Sequence, residues 1–330
     1  MLIDNTRPLD AEPALERRRF VVEPRPPFAF DHMLASLRNS AGTVLEVIGD
    51  DTYHRALYLE GEPALLVVRN DGTTDAPRLE AEVVVRNLTP AIEAAARTSV
   101  TRAFATDVEL EHLETVFQQD ALLWQAWLSC RGFRPLVLPD LFETIAWAII
   151  GQQITVAFAA KCKRAFTETY GGRLAVDGRE YLLFPRPEAV AGLDDADLLA
   201  LQFSRQKARY VLNLARRIVS GDFDIEGLRL LPAEAALTQL CSLIGIGRWT
   251  AEYVLMRGLG YADSIPAGDV ALQRAIGMAY YGRMATEAEV RMLSEPWAPW
   301  RSYAASCWWY AQRLMQIERK SGGRRLIAPP

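Results

Sequence analysis

The chain has 330 residues, half of them hydrophobic and 24% charged, which is the composition of an ordinary globular protein with room for two or three domains. Its longest apolar stretches, such as "IAWAIIG" at 145–151, are too short to span a bilayer. The opening residues carry no basic-then-apolar signal pattern, so a cytoplasmic protein with no membrane contact and no targeting segment is expected.

The net charge of −4 hides a split: residues 1–150 hold 14 Lys and Arg against 23 Asp and Glu, and residues 151–330 hold 23 against 18. That asymmetry points to a polyanion partner for the second half, or simply to surplus surface carboxylates on the first. The four cysteines (Cys130, Cys162, Cys241, Cys307) are scattered, and the histidines (His32, His54, His112) all lie in the first third. Neither a disulfide framework nor a His/Cys metal site is expected.

Along the chain, residues 1–26 are charged and proline-bearing and read as a flexible lead-in. Residues 27–113 read as a small α+β domain, with a helix at "FDHMLASLRN" followed by short β-branched or alternating segments. "NDGTTDAP" at 70–77 has the residues of a hairpin connection. From Thr89 the pattern turns helical, with Thr before Pro as a helix start. A helical subdomain is expected over 114–230, a second helical region over 231–318, and a basic tail over 319–330.

Within the second region, "AEAALTQLCSLIG" and "RWTAEYVLMRGLG" are two helices joined only by Gly245-Ile246-Gly247, with apolar Leu243, Ile244 and Ile246 available to pin the joint. A turn this tight leaves backbone N–H groups open at a helix start, where the dipole also favours an anion. Taken alone, Gly-x-Gly fits an ordinary helix corner as well.

The longer stretch "LIGIGRWTAEYVLMRGLGYADSIPAGD" at 243–269 resembles the helix-hairpin-helix and Gly/Pro…Asp signature of the DNA glycosylase superfamily, and is similar in detail to its bacterial DNA-3-methyladenine glycosylase II branch. "FETIAWAIIGQQITVAFAAKCKRAFTETYGGRL", "LFPRPEAVAGLDDADLLALQFSRQKARYVLNLARRI" and "EPWAPWRSYAASCWWYAQ" resemble that branch in the same order, over about residues 25–315.

The resemblance implies an α+β N-terminal domain followed by a mainly α-helical helix-hairpin-helix glycosylase core of two helical subdomains. It implies a base-excision-repair enzyme that hydrolyses the N-glycosidic bond of alkylated purines in duplex DNA after base flipping, as a monomer. Asp269 matches the catalytic aspartate, although an Asp before a helix is also an ordinary N-cap. Trp249, Tyr253 and Trp309 match the walls of the base pocket, where electron-rich rings would attract a cationic base. Trp249 and Tyr253, four residues apart, share one helix face. Gln153 matches the wedge that fills the flipped base's place.

Backbone groups at Gly245, Gly247 and Thr250, with the Arg248 charge, match the phosphate-binding hairpin. A monovalent cation at the hairpin is common in the superfamily. Lyase members carry Lys where this chain has Trp249, which implies a monofunctional enzyme. Gly268 stands where relatives often have an acidic residue. Lys207 and Arg209 suit either a basic DNA-facing surface or a solvated helix face, and Trp297, Trp300 and Trp308 suit core packing. Two other readings remain: a non-catalytic protein that binds damaged DNA, and a glycosylase for deaminated or oxidised bases. Asp269 speaks against the first, and Trp249 with the missing lysine against the second.

Overall fold

The computed structural model describes residues 14–38, 40 and 42–321. An N-terminal antiparallel sheet is built from β1 (Glu16–Val22), β2 (Glu46–Ile48), β3 (Thr52–Leu59), β4 (Glu62–Asn70) and β5 (Leu79–Val85), in the order β1-β5-β4-β3-β2. Helix α1 (Phe30–Arg38) connects β1 to β2, and α2 (Pro90–Phe104) follows β5, capped by Thr89, whose hydroxyl accepts from the Ile92 N–H.

Strand alternation gives the sheet two buried faces. Leu57, Leu66, Ala81 and Val83 meet Ile92, Ala96, Val100 and Phe104 on one side. Ala56, Leu65 and Val84 meet Leu174, Val176, Tyr181 and Leu183 on the other.

Residues 16–22, expected in the flexible lead-in, are instead strand β1, paired along its length with β5. Only Phe20 of this strand is buried, so its hydrophobic pattern is nearly silent. Backbone pairing and the bonds of Arg17 and Arg19 to Glu82 hold it. Residues 1–13 of the expected lead-in lie outside the described residues, as does the expected tail from 322 onward; 319–321 continue the last helix.

Helices α3 (Glu111–Phe117), α4 (Ala121–Leu128), α5 (Leu141–Gly151) and α6 (Val156–Tyr170) follow. A hairpin of β6 (Gly172–Val176) and β7 (Arg179–Leu183) then leaves the helical region to cover the outer face of the N-terminal sheet. Next come α7 (Pro187–Ala191), α8 (Asp195–Ala200), α9 (Arg205–Val219), α10 (Ala233–Cys241) and α11 (Arg248–Val254), the last continuing through one π-helical turn at Leu255–Leu259. Helices α12 (Val270–Tyr280), α13 (Glu287–Leu293) and α14 (Arg301–Ser321) complete the chain. No described helix is long and apolar enough to cross a membrane.

The helical part has two cores, but they do not divide at residue 230. One core joins α5 to α11 through Ile145, Phe166, Val211, Leu240 and Val254. The other joins α3 and α4 to α12–α14 through Phe117, Trp127, Ile276, Trp297 and Trp308, and is continuous with the inner face of the sheet. The physical reason is that α3 and α4 present their apolar faces to the C-terminal helices, whereas α11 packs on α5 and α10 packs on α11.

Candidate active site and nucleic-acid interface

Between the two helical cores lies a cleft of about 1380 Å³, larger than the ~300–1,000 Å³ of most small-ligand pockets and roomy enough for a nucleotide. Its walls come from α5 and α6 on one side and from α12 and α14 on the other, with the start of α11 at its mouth.

The hairpin forms as its glycines require. Gly245 sits at φ +80°, and a Cβ there would overlap the Tyr210 ring, so glycine is needed for conformation and for space. Leu243 and Ile246 are buried and pin the joint, while Ile244, expected to help, is 47% exposed at the tip. Gln152 ties the hairpin to the end of α5, donating from Nε2 to the Gly245 carbonyl (2.9 Å) and to the Thr250 hydroxyl (3.2 Å).

Thr250 is therefore turned inward, and only its backbone N–H faces the helix start. Gly247 caps α11 with no side-chain bond, which leaves the first N–H groups of the helix without protein acceptors. The Arg248 side chain is 64% exposed, with Nε bonded to Glu252 at 2.9 Å. The hairpin carbonyls that the resemblance assigns to a cation are partly engaged, Leu243 by the Ile246 N–H and Gly245 by Gln152.

Asp269 caps α12. Its Oδ1 accepts from the Leu272 N–H (2.7 Å) and from Trp309 Nε1 (3.0 Å), so the carboxylate is fixed at the cleft wall with its second oxygen uncommitted to either bond. Burial raises its pKa, opposed by the hydrogen bonds from Leu272, Trp309 and Ala271. Replacing Trp309 by Phe removes one bond that favours the charged form, so the pKa should climb further. If ionised Asp269 carries the reaction, the acid limb of the activity profile is expected to move to higher pH. A pH–rate profile identical to wild type would refute this role for the indole.

Trp249 and Tyr253 lie on the cleft side of α11 with ring centroids 6.1 Å apart. Gly268 gives Trp249 its place: a Cβ at that position would lie 3.3 Å from the Trp249 Cβ and 3.4 Å from Glu287 Oε2. The glycine thus lets the indole and the Glu287 carboxylate close up against the backbone preceding Asp269.

Gln153 is exposed in the turn between α5 and α6, at φ +56°, with no side-chain hydrogen bond among the described residues. Its neighbour Gln152 performs the backbone capping that either glutamine could have supplied. Lys207 is not part of a free basic surface: it donates to the Ile150 carbonyl at 2.8 Å, and burial lowers its pKa. Arg209 is exposed. Trp297 and Trp308 are buried in the core as expected, and Trp300 is half-buried, donating to His112.

Several cleft residues had no signal in the sequence. Trp147 donates from Nε1 to the Tyr253 hydroxyl at 3.1 Å, and the Lys163 ammonium lies 5.3 Å from the Trp147 ring centroid. Arg257, on the π-helical turn, and Arg313, on α14 and bonded to Ser36, also line the cleft. Neither has a carboxylate partner among the described residues, so the cleft is not uniformly attractive to a cation. Such residues on amphipathic helices read as ordinary core or surface until the fold brings them together.

A family model described as AlkA N-terminal domain matches residues 19–135, and one described as HhH-GPD superfamily base excision DNA repair protein matches residues 146–299. A DNA-3-methyladenine glycosylase of Bacillus subtilis is 35% identical over 207 residues, covering 62% of this chain and 68% of that protein. DNA-3-methyladenine glycosylase 2 of Escherichia coli is 30% identical over 294 residues, 87% of this chain and 95% of its own length. The solved 3-methyladenine DNA-glycosylase from Archaeoglobus fulgidus shares the fold, with a TM-score of 0.80 over 90% of this chain and 99% of its own at 23% identity. The chain belongs to the HhH-GPD superfamily of base excision DNA repair proteins and, within it, to the DNA-3-methyladenine glycosylases.

Proposed function

We propose that the protein hydrolyses the N-glycosidic bond of alkylated purines, 3-methyladenine and 7-methylguanine among them, in duplex DNA. It acts as a cytoplasmic monomer. The observation that carries this reading is Asp269, a buried carboxylate fixed by Trp309 and Leu272 at the wall of an aromatic-lined cleft beside the hairpin.

The amides at the start of α11, with Arg248, bind the DNA backbone and set register without reading sequence. The target nucleotide leaves the duplex, which costs a few kcal/mol, and Gln153, standing out of its turn, fills the gap. The base enters between Trp249, Tyr253 and Trp309. As the glycosidic bond breaks, positive charge grows on the deoxyribose, and the ionised Asp269 stabilises it and orients the attacking water. Alkylation at N3 or N7 already makes the base a good leaving group, so a second carboxylate acting as acid is not needed. With Trp249 at the hairpin, no amine attacks the sugar, and the product is an abasic site with the strand intact.

Arg257 and Arg313 favour a second reading, a glycosylase for deaminated or oxidised purines, since guanidinium groups suit bases with carbonyl and ring-nitrogen acceptors. Release of bases from methylated duplex DNA, compared with duplexes carrying hypoxanthine or 8-oxoguanine, separates the two. Binding to lesion DNA without release of any base would leave only a damage-binding protein.

A further inference from the structure

We infer that Trp147 is a positioning residue that presets the Tyr253 hydroxyl as a hydrogen-bond donor into the cleft, making the pocket selective for bases that present an acceptor to it. The inference rests on the proposed role of Tyr253 as a pocket wall.

An indole N–H can only donate, whereas a phenolic hydroxyl has one proton and two lone pairs. Trp147 Nε1 lies 3.1 Å from the Tyr253 oxygen, so that oxygen is the acceptor in this bond and its proton must point elsewhere. No described residue accepts the proton, and both side chains line the cleft.

The direction is fixed before any base arrives, because Trp147 is itself held. Its Cζ2 edge sits over Gly42, where a Cβ would come within 3.0 Å, so only glycine fits there comfortably. The Lys163 ammonium faces the ring at 5.3 Å and is anchored to Glu143 at 2.6 Å. On its other side, Tyr253 packs against Trp249.

Without Trp147, the hydroxyl could rotate and either accept from an exocyclic amine or donate. With Trp147, it donates. A base with a ring nitrogen or carbonyl at that place satisfies the donor, and an isostere with C–H there leaves it buried and unpaired, which is the kind of mismatch that binding sites reject strongly.

The test uses the full-length protein and free bases as competitive inhibitors of base release from methylated duplex DNA. The inhibitors are 3-methyladenine and analogues in which one acceptor nitrogen at a time is replaced by C–H. For wild type, one analogue is expected to bind about five-fold more weakly than 3-methyladenine. That discrimination should vanish in Tyr253→Phe and in Trp147→Phe, and the double variant should show no further change, because both substitutions remove the same directed proton.

Equal inhibition of wild type by all analogues overturns the inference while leaving the proposed function standing. So does discrimination that survives Tyr253→Phe, or effects of the two substitutions that simply add. If Trp147→Phe fails to fold, Gly42→Ala takes its place: its Cβ meets Trp147 Cζ2 at 3.0 Å and shifts the indole, so discrimination should fall, and discrimination unchanged from wild type overturns the inference. A wild type that releases no methylated purine removes the proposed function and this inference together.

Discussion

Replacing Asp269 by Asn is expected to slow release of methylated purines about 10²–10³-fold while leaving the protein as stable as before or more so. The two halves of this expectation have separate causes. On the proposed mechanism, catalysis needs the negative charge against the sugar cation, and Asn lacks it. The fold needs only a helix cap, and Asn serves there as well as Asp, accepting from the Leu272 N–H in the same way.

The sign of the stability change follows from the raised pKa. A carboxylate that is harder to ionise in the folded state favours folding only at pH values below its unfolded pKa, and that contribution is lost as pH rises through the folded one. At neutral pH the buried charge opposes folding, and Asn relieves it. Single-turnover release and thermal melting at pH 7 check both parts. Loss of activity accompanied by a clearly lower melting temperature would mean that Asp269 is mainly structural.

The second large effect is on stability. Glu143→Ala is expected to destabilise the protein by about 3–5 kcal/mol, read as a shift in the midpoint of chemical unfolding. The Glu143 side chain is 0% exposed and bridges two buried cations, Arg55 from β3 and Lys163 from α6. Arg55 also reaches Glu46 on β2 at 3.2 Å. Burial would raise the pKa of Glu46, but Arg55, Lys163 and backbone hydrogen bonds together outweigh it and the net shift is downward.

Taking Glu143 away leaves Arg55 with one carboxylate and Lys163 with none at bonding distance, both out of water, which costs more than the intact cluster contributes. The damage should spread to function as well, because Lys163 then no longer braces Trp147. A loss below ~1 kcal/mol would show that the cluster is neutralised some other way.

What could be read in advance divides along physical lines. Helices with one apolar face and a clear cap, such as α2 and α9, announce themselves locally. Strand β1 does not, since an edge strand that buries only Phe20 depends on its partner rather than on its own pattern. The β6–β7 hairpin carries a local mark: Asp177 and Gly178 both have positive φ, the Asp-Gly turn that joins the paired strands.

In the site, Trp249, Tyr253 and Asp269 lie within one short stretch and stood out through spacing and resemblance. Trp147, Lys163, Arg257 and Arg313 come from four separate helical segments. They become a group only through packing, so no local pattern marks them.

The helical body that carries Asp269 is stitched together from two segments far apart in the chain, α3 and α4 from one and α12–α14 from the other. During synthesis the α5–α11 body can close on itself first, since its contacts are near in sequence, whereas α3 and α4 must wait with open apolar faces for α12–α14. The indole that steadies the carboxylate is on α14, which emerges well after the hairpin. A ribosome-bound chain therefore has the hairpin proposed to grip DNA before it has the wall proposed to be catalytic, and on that reading it becomes active only as α3 and α4 meet α12–α14.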